Sequence, residues 1–152
     1  MIVQEVMTGG VLSCRPSASL AEAVGLMWTG DCGIVPVVND RNEVVGVITD
    51  RDIAVALGTR GGRAADLQVG DVMSSDVVRC TPADRLTDAL ALMRQHRVRR
   101  LPVVGLSGEL LGMLSINDVV LQTPQPVTGD PLVDTLQSIC AHHHELVAAP
   151  AS

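Results

Sequence analysis

The sequence predicts an α/β (α+β) fold: two copies of a β-α-β-β-α unit packed around a pseudo-twofold axis, plus one further helix at the C-terminus. Three observations predict it. Sliding the 152-residue chain against itself by 66 positions sets residues 2–57 on residues 68–123 without a gap, and 16 of those 56 pairs are identical. Each copy carries a stripe of apolar residues at helical spacing, then two short β-branched runs. Two units are fewer than a solenoid needs to bury its faces, so the copies are expected to close on each other.

In the first unit, residues 1–58, a short strand is followed by Leu20, Ala23, Val24 and Met27, the i, i+3, i+4, i+7 stripe of an amphipathic helix. Ser19 and Glu22 can form a capping box at its start. The runs Ile34 to Val38 and Val44 to Ile48, joined by Asn39-Asp40-Arg41-Asn42, read as a hairpin, and a second helix is expected from about Asp50 to Leu57. Residues 59–70, rich in glycine, read as a mobile connector. The second unit, residues 71–122, repeats the order: a helix on Leu86, Ala89, Leu90 and Met93 with Asp84 as its expected cap, strands Leu101 to Val104 and Leu110 to Leu114, and a helix from Asn117 to Leu121. Pro36 and Pro102 lack a backbone donor and suggest strand starts or edges. In residues 123–152, a proline-rich link precedes a helix whose apolar spacing resumes from Leu132 to Val147.

Composition excludes several functions. Aromatic residues make up 1% of the chain, Trp28 standing beside no Phe and no Tyr, so nucleic-acid bases have no stacking platform. All 11 basic residues are Arg, and without Lys there is no Schiff-base enzyme, no pyridoxal-phosphate lysine and no P-loop lysine. A net charge of -6 supplies no field for a polyanion, so nucleic acid is not an expected partner. No apolar stretch suggests a membrane span or a signal peptide, and the four cysteines form no CxxC pair; reduced thiols and a cytoplasmic location are expected. Cys14 and Cys80, equivalent in the repeat, read as small buried hydrophobes. The sequence holds no GxSxG, HExxH or GxGxxG pattern, and no catalysis is expected.

The chemistry concentrates in Gly46-Val47-Ile48-Thr49-Asp50-Arg51-Asp52 and Gly112-Met113-Leu114-Ser115-Ile116-Asn117-Asp118. Each places a hydroxyl and a carboxylate three residues apart where a strand becomes a helix. Such a pair can simply cap the helix. It can also serve a ligand, because free N–H groups at a helix start favour an anion and a carboxylate accepts from vicinal ribose hydroxyls. Duplication of the whole pattern favours the second use.

The repeated Gly-h-h-[Thr/Ser]-x-x-Asp, preceded by Pro-Val-Val and by a helix headed Pro-x-x-x-Leu-x-x-Ala, resembles a tandem pair of CBS (cystathionine-β-synthase) domains, a Bateman module, over roughly residues 1–121. The resemblance implies a non-catalytic regulatory module that needs no cofactor. It would bind AMP, ADP, ATP, NAD(H) or S-adenosylmethionine between the repeats, form a homodimer and signal to a separate regulated protein. Carried over position by position, the Asp118 cleft would use Ser115, Asn117 and Arg100 with Arg15, Leu20, Cys32 and Gly33 of the first repeat. The Asp52 cleft would use Thr49 with Thr81, Leu86, Val98 and Arg99 of the second. Because Ile34 stands where the second repeat has Arg100, the Asp118 cleft is expected to favour phosphorylated ligands.

A second reading is a ligand-independent dimeric interaction or stress-response protein. Cys140, His143 and His144 fall at i, i+3 and i+4 on the last helix and could supply part of a metal site, although adjacent histidines on an exposed helix are more simply solvated. Arg94 and Arg97 read as cations at a helix C-terminus.

Overall fold

A computed structural model of the chain describes residues 1–122, 131, 133 and 135–140. Its elements are β1 (Thr8–Gly9), α1 (Leu20–Gly30), β2 (Ile34–Val38), β3 (Val44–Thr49) and α2 (Asp50–Arg60), then α3 (Leu86–His96), β4 (Arg100–Val104), β5 (Leu110–Ser115) and α4 (Ile116–Gln122). Residues 135–140 are helical, Cys140 among them buried; His143 and His144 lie outside the described residues. No helix among the described residues is long and apolar enough to cross a membrane.

Both hairpins form as the β-branched runs predict, β2 antiparallel to β3 and β4 antiparallel to β5, with a register shift at the same place in each. Ahead of the first helix of each unit the strand is short: two-residue β1 in the first unit, and a single parallel bridge onto each unit's own hairpin, Cys14 to Val37 and Cys80 to Val103. Pro36 and Pro102 lie in the middle of β2 and β4 rather than at their starts, and both strands are sheet edges, the other position the missing donor suggests. The Asp50 N–H donates to the Gly33 carbonyl, so by antiparallel alternation Pro36 falls between bonded pairs. Its missing donor faces the Cys14 side, where its carbonyl accepts from the Cys14 N–H at 3.1 Å.

The two hairpins meet tip to tip. Glu43 bridges Glu109, its equivalent in the repeat, while the Val44 N–H donates to the Gly108 carbonyl and the Leu110 N–H to the Asn42 carbonyl. Equivalent residues facing each other are what a twofold axis between them requires. Val38, Val44 and Val104 form a small apolar core there.

A second feature joins the units: each leading segment is exchanged into the other. Val3 is fully buried with Leu101, Val103 and Leu114 of the second unit, and its N–H donates to the Asp84 carbonyl. Val69, 66 residues on, is fully buried with Leu20, Val35 and Ile48 of the first, and its N–H donates to the Ala18 carbonyl. Residues 59–70 are therefore not a loose connector. α2 runs on to Arg60, short 3₁₀ turns cover Ala64–Asp66 and Val69–Asp71, and the Leu67 carbonyl accepts from the Leu20 N–H.

The caps diverge. Ser19 and Glu22 form the expected reciprocal box on α1. On α3 the N-cap is Arg85, which makes no side-chain cap; Asp84, expected to cap it, instead accepts from the Thr81 N–H and hydroxyl, both at 2.8 Å. The carboxylate sits one residue before the cap position and turns back along the chain.

Candidate functional site

β3 hands over to α2 at Thr49, and β5 to α4 at Ser115, so each hydroxyl stands at a helix N-cap. Thr49 Oγ1 accepts from the Asp52 N–H at 3.1 Å, and the Thr49 N–H donates to Asp52 Oδ2 at 3.0 Å. Ser115 repeats both bonds, Oγ accepting from the Asp118 N–H at 3.1 Å and N–H donating to Asp118 Oδ2 at 2.9 Å. Both motifs are therefore genuine capping boxes. This does not spend the carboxylates. At Asp52, Oδ1 accepts no hydrogen bond among the described residues. At Asp118, Oδ2 also accepts from the Ser115 hydroxyl at 2.7 Å, and Oδ1 lies 3.5 Å from the Thr8 hydroxyl.

Thr8 belongs to the exchanged leader. β1 pairs with β5, Thr8 opposite Met113 and Gly9 opposite Gly112. Ser74 pairs with Val47 of β3 in the equivalent place. Each strand that ends in a motif is thus crossed by the other unit's leading segment. The motif glycines make this possible: a Cβ on Gly112 would fall on the Thr8 carbonyl oxygen, and one on Gly46 would sit 2.6 Å from the Met73 sulfur and 2.9 Å from the Ser74 carbonyl. Thr8 and Ser74 are the residues that sequence reasoning missed. The signal available was a hydroxyl retained after Val-Met in both copies.

The remaining expected residues scatter. Arg100 stands across the β4–β5 ladder from Ser115, and Asn117 is half-buried in the first turn of α4. The Arg99 carbonyl accepts from the Ile116 N–H, placing its backbone at the Asp118 turn of its own repeat, while Gly33 occupies the same place against Asp50. Arg15 pairs with the exposed Asp40, and Thr81 bonds to Asp84, so neither hydrogen-bonds to a motif aspartate. Leu20 is wholly buried in the first core and presents no surface to a ligand.

A surface cavity of about 340 Å³ runs along α2 from Asp52. Arg51, Asp52, Thr59 and Arg60 supply its polar wall; Val55, Ala56 and Val72 of the second unit's leader supply the apolar one. Only Asp52 among these was expected from the sequence. The buried thiols offer no nucleophile: burial, helped by Asp84, pushes Cys80 up to about 12, and burial, helped by Glu22, raises Cys14. They sit in separate cores.

The sequence profile of the CBS domain matches residues 3–59 and 69–122. The CBS domain-containing protein YhcV of Bacillus subtilis is 37% identical over 119 residues, which are 78% of this chain and 83% of that protein. CBSX2, solved in complex with AMP, is 29% identical with a TM-score of 0.66, covering 78% of this chain and 93% of that one. Hypoxic Response Protein I superposes with a TM-score of 0.75 at 24% identity, covering 82% of this chain and 100% of that one.

Proposed function

We propose, from the premise that this chain belongs to the CBS domain family, that it is a cytoplasmic, non-catalytic regulatory protein binding adenosine-containing ligands and passing their occupancy to a separate partner. The observation that carries the reading is the duplicated turn. A capped helix start holds a carboxylate in each repeat: at Asp118 one oxygen faces Thr8 of the leading segment, and at Asp52 one oxygen accepts nothing among the described residues and the carboxylate shares a cavity with Val72 of the other leader. Such an oxygen accepts from ribose hydroxyls, and the apolar side chains around it hold a purine without aromatic stacking. The AMP complex of CBSX2 supports the ligand class. AMP, ADP, ATP, NAD(H) and S-adenosylmethionine are the candidates.

Each site draws residues from both repeats, so a ligand that binds it tightens or opens the angle between them. The homodimer expected for the module would transmit that change, and the coupling is limited to the ligand's differential affinity for the two states, commonly about 1–3 kcal/mol. Thermal denaturation across the five ligands, followed by calorimetry of any hit on the wild type and on Asp52→Ala and Asp118→Ala, tests the reading. A ligand that binds the folded form must raise the melting temperature, and its heat must fall in at least one variant. Flat melting temperatures throughout contradict it.

A further inference from the structure

The two clefts are equivalent in sequence position but not in hydrogen bonding. Asp118 is already supplied by its own protein: the Ser115 hydroxyl donates to one carboxylate oxygen and the Thr8 hydroxyl approaches the other. A ribose diol there shares Oδ1 with Thr8 and meets an Oδ2 that already accepts from the Ser115 N–H and hydroxyl. At Asp52 the Thr49 hydroxyl serves only as acceptor for the Asp52 N–H, and Oδ1 accepts nothing among the described residues.

The charges differ as well: the second unit has Arg100 across the ladder from Ser115 where the first has Ile34, while the cavity at Asp52 has two guanidinium groups. Arg51 occupies the position that Asn117 holds in the second unit. Arg51 and Arg60 both line the cavity, and neither pairs with a carboxylate among the described residues. Arg60 Nη1 donates to the Asp71 carbonyl at 3.0 Å, which steadies the side chain and leaves its other donors available. At 1.5 Å per residue, Arg60 lies about 13 Å along the helix from Arg51. The floor between them is Val55 and Ala56.

Resting on the adenosine-ligand reading, we infer that the Asp52 cleft is the one that fills, and that it selects a phosphate chain through Arg51 near the ribose and Arg60 at the far end. This reverses the preference expected from Arg100 alone. Asp52 accepts from the ribose, Arg51 meets the nearer phosphate, and only a di- or triphosphate extends to Arg60.

Calorimetry of the full chain with ATP, AMP and adenosine tests this on the wild type, Arg51→Gln, Arg60→Gln and the double variant. Both substitutions are at exposed positions, and circular dichroism checks the fold. The expected result is one tight ATP event per chain, weakened about tenfold or more by Arg60→Gln with a smaller effect on AMP. Arg51→Gln should weaken ATP and AMP alike, and adenosine binding should not follow the charge. ATP affinity unchanged in the double variant, or two equal ATP events per chain, overturns the inference and leaves the adenosine reading standing. No binding of ATP, AMP or adenosine by the wild type overturns both.

Discussion

Gly46 and Gly112 head the two motifs, and their role is to admit a neighbour. Each lies where the other unit's leader crosses the sheet, too close for a methyl group. Gly112→Ala should therefore cost about 1–3 kcal/mol through displacement of the Thr8 backbone and should loosen Thr8 from Asp118; a denaturant midpoint and the Thr8 amide signal report the two effects. The Thr49/Asp52 and Ser115/Asp118 pairs were legible because the repeat presents them twice at fixed spacing. Thr8 was not, because its approach to Asp118 spans 110 residues and crosses between units. The buried thiols give a pH test. Cys80 has its pKa raised from 9.0 to about 12 in the folded state. The stability this provides is complete below pH 9 and is lost as pH rises toward 12, at about 1.4 kcal/mol per pH unit within that window. Cys80→Ala should lower the urea midpoint at pH 7 and flatten its decline above pH 9.

Among elements, α1 and α3 are the same helix with different starts. Ser19 and Glu22 close the box on α1, whereas Arg85 leaves α3 without a side-chain cap, Asp88 standing where Glu22 does. Arg85→Ser should add about 1 kcal/mol and raise the melting temperature by a few degrees. An unchanged melting temperature would mean that the α3 start is already satisfied by its packing. Helices and hairpins could be read from periodicity, since 3.6- and 2-residue repeats follow directly from backbone geometry. The prolines were legible as marks of edge strands, since β2 and β4 each lie at the edge of a sheet. A missing donor matters only on the side where the ladder needs it, and at Pro36 that side carries a single bridge to Cys14 rather than a strand. The 59–70 stretch misled, its glycines concealing that Val69 is a core residue.

At the scale of the molecule, the repeat in sequence is not the unit of packing. Val3 completes the second core and Val69 the first, so the two halves hold each other's walls. Val69→Ala, although in the second half of the repeat, should destabilise the first core by about 2 kcal/mol, with hydrogen-exchange protection lost first around Leu20 and Ile48. The exchange also brings Thr8 to Asp118 and Val72 to the cavity at Asp52, and under the proposed function this makes each cleft depend on both halves, so that an occupant would report on their relative arrangement. The most direct test of that claim is an amide NMR titration of the full chain with AMP. Shifts should concentrate at residues 49–52 together with 72–74, or at 115–118 together with 7–9, joining a turn from one half to the leader of the other. Shifts confined to one half, or none at either turn at saturating AMP, would contradict it.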